Sequence, residues 1–465
     1  MIDLSGLLST YGQRPAVVYG LGVSGLASVV ALTRSGFQVI AWDDNEKARD
    51  AAAQYGAELI DVAQDFPLNA AFLLLSPGIP LTHPQPHPVV KSAQQHRIEI
   101  LCDIELLHRA TPGIEKIGIT GTNGKSTTTA LIGHILQEAG RSVDIGGNLG
   151  IPALALNSLD DNGIYILEMS SYQLDLCPTF RPDIGVLLNI TPDHLDRHGG
   201  IEGYAKAKSH IFGQDTIAIC GLDDDYCREI AASNPARQTI TFSTHNADAD
   251  IYPDNNNLRT SEGDVTLESY PNLRGEHNLQ NIMAAFIACR EAGLMTSEIK
   301  SGLATFPGLE HRQKRVRHLK GIDFINDSKA TNDEAASKAL SAYHENIYWI
   351  AGGQAKGPEY PKCRPYFDRI RHAYLIGEGA ADLKKNLDAQ NIPSTHSKIL
   401  HAAVFQAYED ARADIDAQKI DHAVILLSPA CASWDQFANF EQRGQIFTEC
   451  VNYLPQRLPP TGNKS

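Results

Sequence analysis

The chain has 465 residues, 43% hydrophobic and 20% charged, with a net charge of −15. At about 150 residues per domain, that length is too great for one core and suggests three domains, and the negative balance excludes a general binder of nucleic-acid backbone. The eight cysteines are scattered with no Cys-x-x-Cys pair, a pattern of reduced thiols in the cytoplasm rather than a disulfide frame.

Met1-Ile-Asp-Leu-Ser5 lacks the basic-then-apolar layout of a signal peptide. No apolar run approaches the ~20 residues of a membrane span, so no membrane insertion is expected. Leu458-Pro-Pro-Thr-Gly462 matches the short pattern of cell-wall anchoring, but only Asn463-Lys-Ser465 follows it. It reads as a proline-rich terminus.

The first segment opens with a strand, Ala16 to Tyr19, then Gly20-x-Gly22-x-x-Gly25 and a helical run to Arg34. A second strand, Phe37 to Trp42, ends in Asp43-Asp44. This is the outline of a Rossmann-type unit, whose glycines let the backbone approach a phosphate and whose acid faces a ribose or a base. NAD(P) and another nucleotide remain open. Ser76-Pro-Gly-Ile-Pro80 follows the strand Phe72 to Leu75 at the same sheet edge; Ser76 reads equally as a turn residue or a ligand contact.

After the breaker Thr111-Pro-Gly113, the strand Ile117 to Ile119 feeds the glycine turn Gly121-Thr-Asn-Gly-Lys-Ser126 and a helix, Thr127 to Glu138. Backbone N–H groups in such a turn point at a phosphate chain, and the helix N-terminus adds its positive end. Lys125 can reach the β- and γ-phosphates and Ser126 can ligate Mg²⁺. The spacing departs from the common P-loop, with Ile119 where a glycine usually stands. Strands at Ile164 to Leu167, Ile184 to Asn189 and Ile217 to Cys220 then alternate with helices, implying a mostly parallel sheet. Residues 246–274 are rich in Asn and Asp and read as surface hairpins. A helix follows from about His277 to Ala292, and Phe306-Pro-Gly308 closes the segment.

The third segment repeats the pattern, with strands at Ile322 to Ile325, Tyr348 to Ala351, Ala373 to Ile376 and Val424 to Leu427. The expected fold is thus α/β, with three consecutive domains: a Rossmann-like domain over 1–112, a central P-loop domain over 113–308 and a Rossmann-like domain over 309–465.

Several clusters can carry chemistry. Glu168 ends a strand beside the glycine turn, where a Mg²⁺ ligand belongs. Asn189-Ile-Thr-Pro-Asp-His-Leu-Asp-Arg-His198 suggests a metal site or general polar chemistry. Pro192 and Gly199-Gly200 leave little room for a zinc helix built on His194 and His198. His194 is therefore read as a Mg²⁺ or substrate contact and His198 as a surface residue. Lys206 and Lys208 lie on a helix, where a solvated face is the ordinary reading. Cys431 has no histidine near it in sequence and reads as a small buried thiol.

Taken together, Gly121 to Ser126, Gly146-Gly-Asn148, Glu168-Met-Ser-Ser171, Asn189 to His194, Gly275-Glu-His-Asn278, His311-Arg312 and Asn326-Asp-Ser-Lys-Ala-Thr-Asn332 resemble the Mur ligase family of peptidoglycan synthesis. The resemblance runs through nearly the whole chain. Ser76 to Ile79, Ser428-Pro-Ala-Cys-Ala-Ser433, Asp435-Gln-Phe437 and Phe440-Glu-Gln-Arg-Gly444 look most like its D-glutamate-adding members. That implies an ATP-dependent ligase joining D-glutamate to UDP-N-acetylmuramoyl-L-alanine, a monomer with ATP and Mg²⁺ as cofactors. The UDP substrate would meet Gly22, Val23, Ser24, Gly25, Asp43, Ser76, Asn148 and Ser170. ATP would meet Gly121, Thr122, Asn123, Gly124, Lys125, Ser126, Thr127, Asn281, Arg312 and Asp327. D-Glutamate would meet Lys329, Thr331, Lys356, Ser428 and Phe437. Ser126, Glu168, His194 and Lys208, the last as its carbamate, would hold the metal, and Lys125 would act with the last three in catalysis. Gly352-Gly-Gln-Ala-Lys356 departs from the family pattern, which favours an acid near Gln354. Rival readings are a family member adding another amino acid, an NAD-dependent oxidoreductase, which the separate P-loop argues against, and a non-catalytic nucleotide switch.

Overall fold

The computed structural model describes residues 1–455 except 256, 261, 262, 267–269, 271, 274 and 356, and it leaves out the side chains of Glu276 and His277. Lys356 and the proline-rich terminus from 456 onward therefore lie outside the described residues. The chain forms two compact units: residues 1–268 with 277–306, and residues 269–276 with those from Pro307 onward.

The first unit begins with a five-stranded sheet of β1 (Ala16–Tyr19), β2 (Val39–Trp42), β3 (Glu58–Leu59), β4 (Phe72–Leu75) and β5 (Ile100–Leu101), all parallel in the order β3-β2-β1-β4-β5. Every residue of β1 and β4 is buried, as expected for parallel strands covered by helices on both faces. The strand order reverses beside β1, which opens a crevice between the turns after β1 and β4.

A six-stranded parallel sheet follows: β6 (Glu115–Thr120), β7 (Val143–Gly147), β8 (Ile164–Glu168), β9 (Ile184–Leu187), β10 (Ile217–Gly221) and β11 (Gln238–Phe242), ordered β11-β10-β9-β6-β8-β7. Ile119 pairs with Glu168 and Thr120 with Leu187. The loops after β6, β8 and β9 therefore emerge side by side. A buried apolar cluster runs without a break from β1 and β4 to Tyr165, Leu187 and Cys220, so the first two sheets share one core. The polar stretch 246–274 contains an antiparallel meander of β12 (Tyr252–Asp254), β13 (Asn257–Thr260) and β14 (Gly263–Thr266).

The second unit is built on β15 (Lys314–Leu319), β16 (Ile322–Asn326), β17 (Ile347–Gly352), β18 (Ile370–Ile376), β19 (Ser394–Lys398) and β20 (Ala423–Leu427), ordered β15-β16-β20-β17-β18-β19. Only β15, a charged edge strand, is antiparallel to its neighbour. Two apolar clusters cover the faces of this sheet. Among the described residues no helix is long and apolar enough to cross a membrane.

Candidate active site

The glycine turn after β6 is held by its neighbours more than by itself. Asn189, just past β9, accepts from the Thr122 N–H through its carbonyl and from the Asn123 N–H through its side chain, both at 2.8 Å. Its amide returns a bond to the Asn123 carbonyl at 3.2 Å and another to Gln280 at 2.7 Å. Gly124 sits at φ 86°, and a Cβ there would stand 2.3 Å from Asn281 Oδ1. Only glycine fits both demands. The helix starts at Lys125, two residues earlier than the sequence suggests, and runs to Glu138. Its first N–H groups, which no intrahelical carbonyl can serve, thus face the turn. Lys125 Nζ folds back onto the carbonyls of Gly121 and Thr122 at 2.9 Å, and Ser126 is buried.

Glu168 closes β8 and is 2% exposed. Its Oε1 accepts from Asn148 Nδ2 at 2.7 Å, while Oε2 has no partner among the described residues. Asn148 is aligned by its own N–H bond to the Glu168 carbonyl at 2.8 Å. A buried carboxylate oxygen left unmatched costs on the order of a few kcal/mol, so this position favours a cation.

Lys206 and Lys208 separate cleanly. Lys206 is exposed, whereas Lys208 is 1% exposed. Lys208 Nζ donates to the Gly121 carbonyl at 2.8 Å and to Thr120 Oγ1 at 3.3 Å, and it lies 4.6 Å over the Tyr204 ring. Burial, then the nearby Lys125 charge, holds this amine well below the ordinary lysine range. A neutral buried amine is a nucleophile rather than a solvated charge.

His194 caps the short helix Leu195–His198 with φ 52° and a half-exposed side chain, its Nε2 3.5 Å from Asp193. A left-handed histidine costs about 1 kcal/mol or more and persists only where its surroundings fix it. His198, expected at the surface, is instead buried. Its Nε2 meets Ser171 Oγ at 2.9 Å, its Nδ1 lies 3.3 Å from Asp175, and Tyr172 and Tyr204 flank the ring. With both nitrogens matched by polar partners, the imidazole can leave water.

In the first sheet, Gly25 is required because a Cβ would stand 1.9 Å from the Gly20 carbonyl oxygen, while Gly22 opens on space with nothing within 4 Å. Val23 and Ser24 begin the next helix, Val23 exposed and Ser24 half-buried. Asp43 is committed to the turn, accepting from the Leu21 N–H at 2.6 Å and the Asn45 N–H at 2.8 Å. Ser76 is half-buried, its N–H bonded to the Tyr19 carbonyl at 2.9 Å. Ser170 is the N-cap of Ser171–Asp175 in a reciprocal box with Gln173.

In the second unit, the turns after β16 and β20 meet. Ser428 is fully buried and donates to Asp327 Oδ2 at 2.8 Å, and Asp327 Oδ1 accepts from the Gln313 N–H at 3.2 Å. Burial pushes the Asp327 carboxyl up to about 7. Lys329 Nζ lies 5.1 Å over the Phe440 ring, Thr331 N–H bonds the Lys329 carbonyl, and Phe437 is half-buried against the sheet. Arg312 acts on Asp327 through its charge. Arg443, buried and unremarked as a site residue from sequence, braces this turn through Ser328 and the Cys431 carbonyl. Cys431 is fully buried beside Tyr360, as its sequence surroundings suggest.

Residues 119–289 match the Mur ligase middle domain. Over 96% of its length the chain is 45% identical to the UDP-N-acetylmuramoylalanine–D-glutamate ligase of Paramagnetospirillum magneticum, covering 97% of that protein. It is 44% identical to the ligase of the same name from Rhodospirillum rubrum, over 96% of this chain and 95% of that one. The chain belongs to the Mur ligase family. Solved Mur ligase structures share the fold at low identity. UDP-N-acetylmuramate-alanine ligase from Thermotoga maritima aligns with TM-score 0.58 at 15% identity, over 94% of this chain and 99% of that one. UDP-N-acetylmuramoylalanyl-D-glutamyl-2,6-diaminopimelate–D-alanyl-D-alanyl ligase from Acinetobacter baumannii aligns with 0.57 at 18%, over 90% of each. The span that matches the Mur ligase middle domain holds the glycine turn, Glu168, His194, Lys208 and Asn281 together.

Among the described residues no group of three or more His, Cys, Asp or Glu side chains gathers as a ready metal cage. Mg²⁺ rarely has such a cage; it keeps waters and takes one or two carboxylates plus substrate phosphates. The unmatched Glu168 oxygen and the buried Ser126 hydroxyl at the helix start fit that habit.

Proposed function

We propose that the chain is an ATP-dependent ligase that adds D-glutamate to UDP-N-acetylmuramoyl-L-alanine, in the synthesis of peptidoglycan precursors. The observation that carries this reading is near-full-length identity of 43–45% to ligases of that name. The buried Lys208 and Glu168 at the mouth of a phosphate-type turn support it. In this reading residues 1–112 take the UDP part of the substrate, 113–308 take ATP, and 309–465 take D-glutamate.

The first diphosphate would lie over Gly22 to Gly25, where the backbone leaves room, with Asp43 and Ser76 shaping the crevice and Asn148 and Ser170 nearer the reacting end. The ATP phosphates would lie on Gly121 to Thr127, with Lys125 released from its loop carbonyls to the β/γ-phosphates. Asn281, Arg312 and Asp327 would contact the nucleotide. Glu168, Ser126, His194 and Lys208 would hold Mg²⁺, which when bound neutralises charge between two anions that must approach each other.

The chemistry proceeds in two displacements. An oxygen of the L-alanyl carboxylate attacks the γ-phosphorus, the bond to the β-phosphate oxygen breaks, and ADP leaves an acyl phosphate. The D-glutamate amine then attacks the acyl carbon, loses a proton, and the tetrahedral intermediate expels phosphate. Lys208 has the chemistry to add CO₂, since a neutral amine forms a carbamate with loss of one proton. That turns an uncharged amine into an anion near Lys125 and Glu168. Lys329, Thr331, Lys356 and Phe437 would orient the amino acid, and Ser428 would act by holding Asp327. A monomer acting in the cytoplasm fits this reading.

The test is phosphate release from ATP and Mg²⁺ with UDP-N-acetylmuramoyl-L-alanine, one amino acid at a time, with product mass measured. Release that requires D-glutamate is the expected result. Release with another amino acid would keep the family and overturn the acceptor, and none with any would overturn the ligase reading.

A further inference from the structure

The loop that carries His194 is gripped by an aromatic residue of the helix that follows Glu168. Tyr172, in the short helix Ser171–Asp175 behind Glu168, is half-buried. Its ring meets three side chains of the 194–198 segment. The His194 imidazole lies 5.1 Å from it, the His198 ring stacks at 5.3 Å and 9°, and the Arg197 guanidinium carbon sits 4.6 Å over the ring. Arg197 continues the chain of contacts to the first sheet, donating Nη1 to the Gly78 carbonyl at 3.1 Å and Nη2 to that of Pro77 at 3.5 Å. Both carbonyls belong to the turn that begins at Ser76.

His194 needs such a grip. Its backbone is left-handed and its side chain is half-exposed, so neither a regular helix nor close burial selects its rotamer. The Tyr172 ring blocks one side of the imidazole, and His198, pinned by Ser171 and Asp175, holds the far end of the segment. An arginine on an aromatic face is likewise restrained to one plane, which aims its fork at the two carbonyls. One ring therefore joins the helix after Glu168, the imidazole and the turn on the UDP side. All three contacts are made by the ring, so the hydroxyl is dispensable to them.

We propose that Tyr172 is a positioning residue of the ligase reaction. It fixes His194 in the metal-holding place the ligase reading gives it and, through Arg197, ties the Ser76–Pro80 turn to that geometry. This rests on the ligase reading given above. In the full-length enzyme, Tyr172→Phe keeps kcat within about threefold, while Tyr172→Ala lowers kcat by roughly 30-fold or more, since a misplaced group costs about a hundredfold. The KM for UDP-N-acetylmuramoyl-L-alanine rises in the alanine variant and the KM for ATP does not. Wild-type kcat in Tyr172→Ala, or equal damage in Tyr172→Phe, would overturn the proposal. Should the alanine variant fail to fold, Arg197→Met tests the same link: its UDP-substrate KM rises at unchanged ATP KM, and an unmoved UDP-substrate KM overturns it.

A readout without turnover separates this from the ligase assignment. In protein with ¹³C-labelled histidine, ring current from residue 172 displaces the His194 and His198 signals in the wild type and in Tyr172→Phe. In Tyr172→Ala the displacement is lost with the ring, and a His194 signal that also broadens or splits there reports an imidazole freed from its single rotamer. Signals that stay put in Tyr172→Ala overturn the positioning role, whereas a wild type without D-glutamate-dependent release overturns the ligase reading alone.

Discussion

The turns after β1 and β6 are the same local device, a buried parallel strand, a glycine-rich turn and a helix, yet they are built for different work. In the first, the glycines answer to each other: Gly25 makes room for the Gly20 carbonyl, and Gly22 opens on empty space. The nearby acid, Asp43, is spent on the turn's own N–H groups. In the second, the turn is clamped from outside by Asn189 and Asn281 and ringed by Lys125, Lys208 and Glu168. A strand–turn–helix unit supplies a place for a phosphate; the neighbouring strand ends decide whether anything reacts there.

The comparison is most severely tested at Lys208. Replacing it with methionine keeps the buried stem and removes the nitrogen. D-Glutamate-dependent phosphate release is expected to fall by about a thousandfold, the scale for loss of a charge-stabilising group in a water-excluded site. Activity within tenfold of the wild type would make Lys208 a core residue. Gly124→Ala comes next. Its Cβ would meet Asn281 at a left-handed position, so ATP affinity measured by calorimetry should drop by roughly a hundredfold, about 2.7 kcal/mol.

Smaller effects distinguish the glycines of the first turn. Gly25→Ala forces a methyl against a backbone carbonyl and should destabilise the first unit by about 1–3 kcal/mol, read as a lower midpoint in urea. Gly22→Ala meets nothing; it should leave that midpoint unchanged while raising the KM for the UDP substrate severalfold. The reverse pattern would move the diphosphate away from Gly22.

The smallest effect concerns Asp327. Its folded carboxyl is raised to about 7 from an ordinary 3.8, so the folded state holds a proton that the unfolded state has released between these values. Stability from this group is fully present below about pH 4 and is lost as pH rises through 7. Between pH 5 and 8 the second unit should melt lower with rising pH, by a few degrees. Asp327→Asn should flatten that slope, and a slope equally steep in the variant would assign it to other groups.

Much of this was legible in sequence because parallel α/β architecture writes strands as apolar runs and places polar loops at their ends. Ala16–Tyr19, Phe72–Leu75 and the helix from 276 to 291 emerge close to where their patterns put them. The strands Val143–Gly147, Gln238–Phe242 and Lys314–Leu319 escaped notice. Edge strands carry polar and charged residues that break the apolar run. At the site, residue type and order pointed to the glycine turn and Glu168, but not to what surrounds them. His198 looks like a surface histidine until Ser171 and Asp175 satisfy it from 27 and 23 positions away. Lys206 and Lys208 differ only by the helical face they occupy. Asn189's grip on the turn is a long-range contact that no spacing encodes.

The single apolar core under the first two sheets carries a consequence for anyone wishing to exchange parts between such ligases. Ile2 reaches across to the Leu154 carbonyl and Cys102 to that of Leu176, the buried apolar cluster runs on between them, and the buried Asp103 and Glu105 carboxylates accept from the N–H groups of Ala153 and Phe180 across the same junction. A graft made at the breaker Thr111-Pro-Gly113 would cut through shared packing and set two unmatched apolar faces together. Transplanting residues 1–306 as one block keeps the described partners of that core together and moves the seam to Phe306-Pro-Gly308, with 269–276 carried along from the second unit.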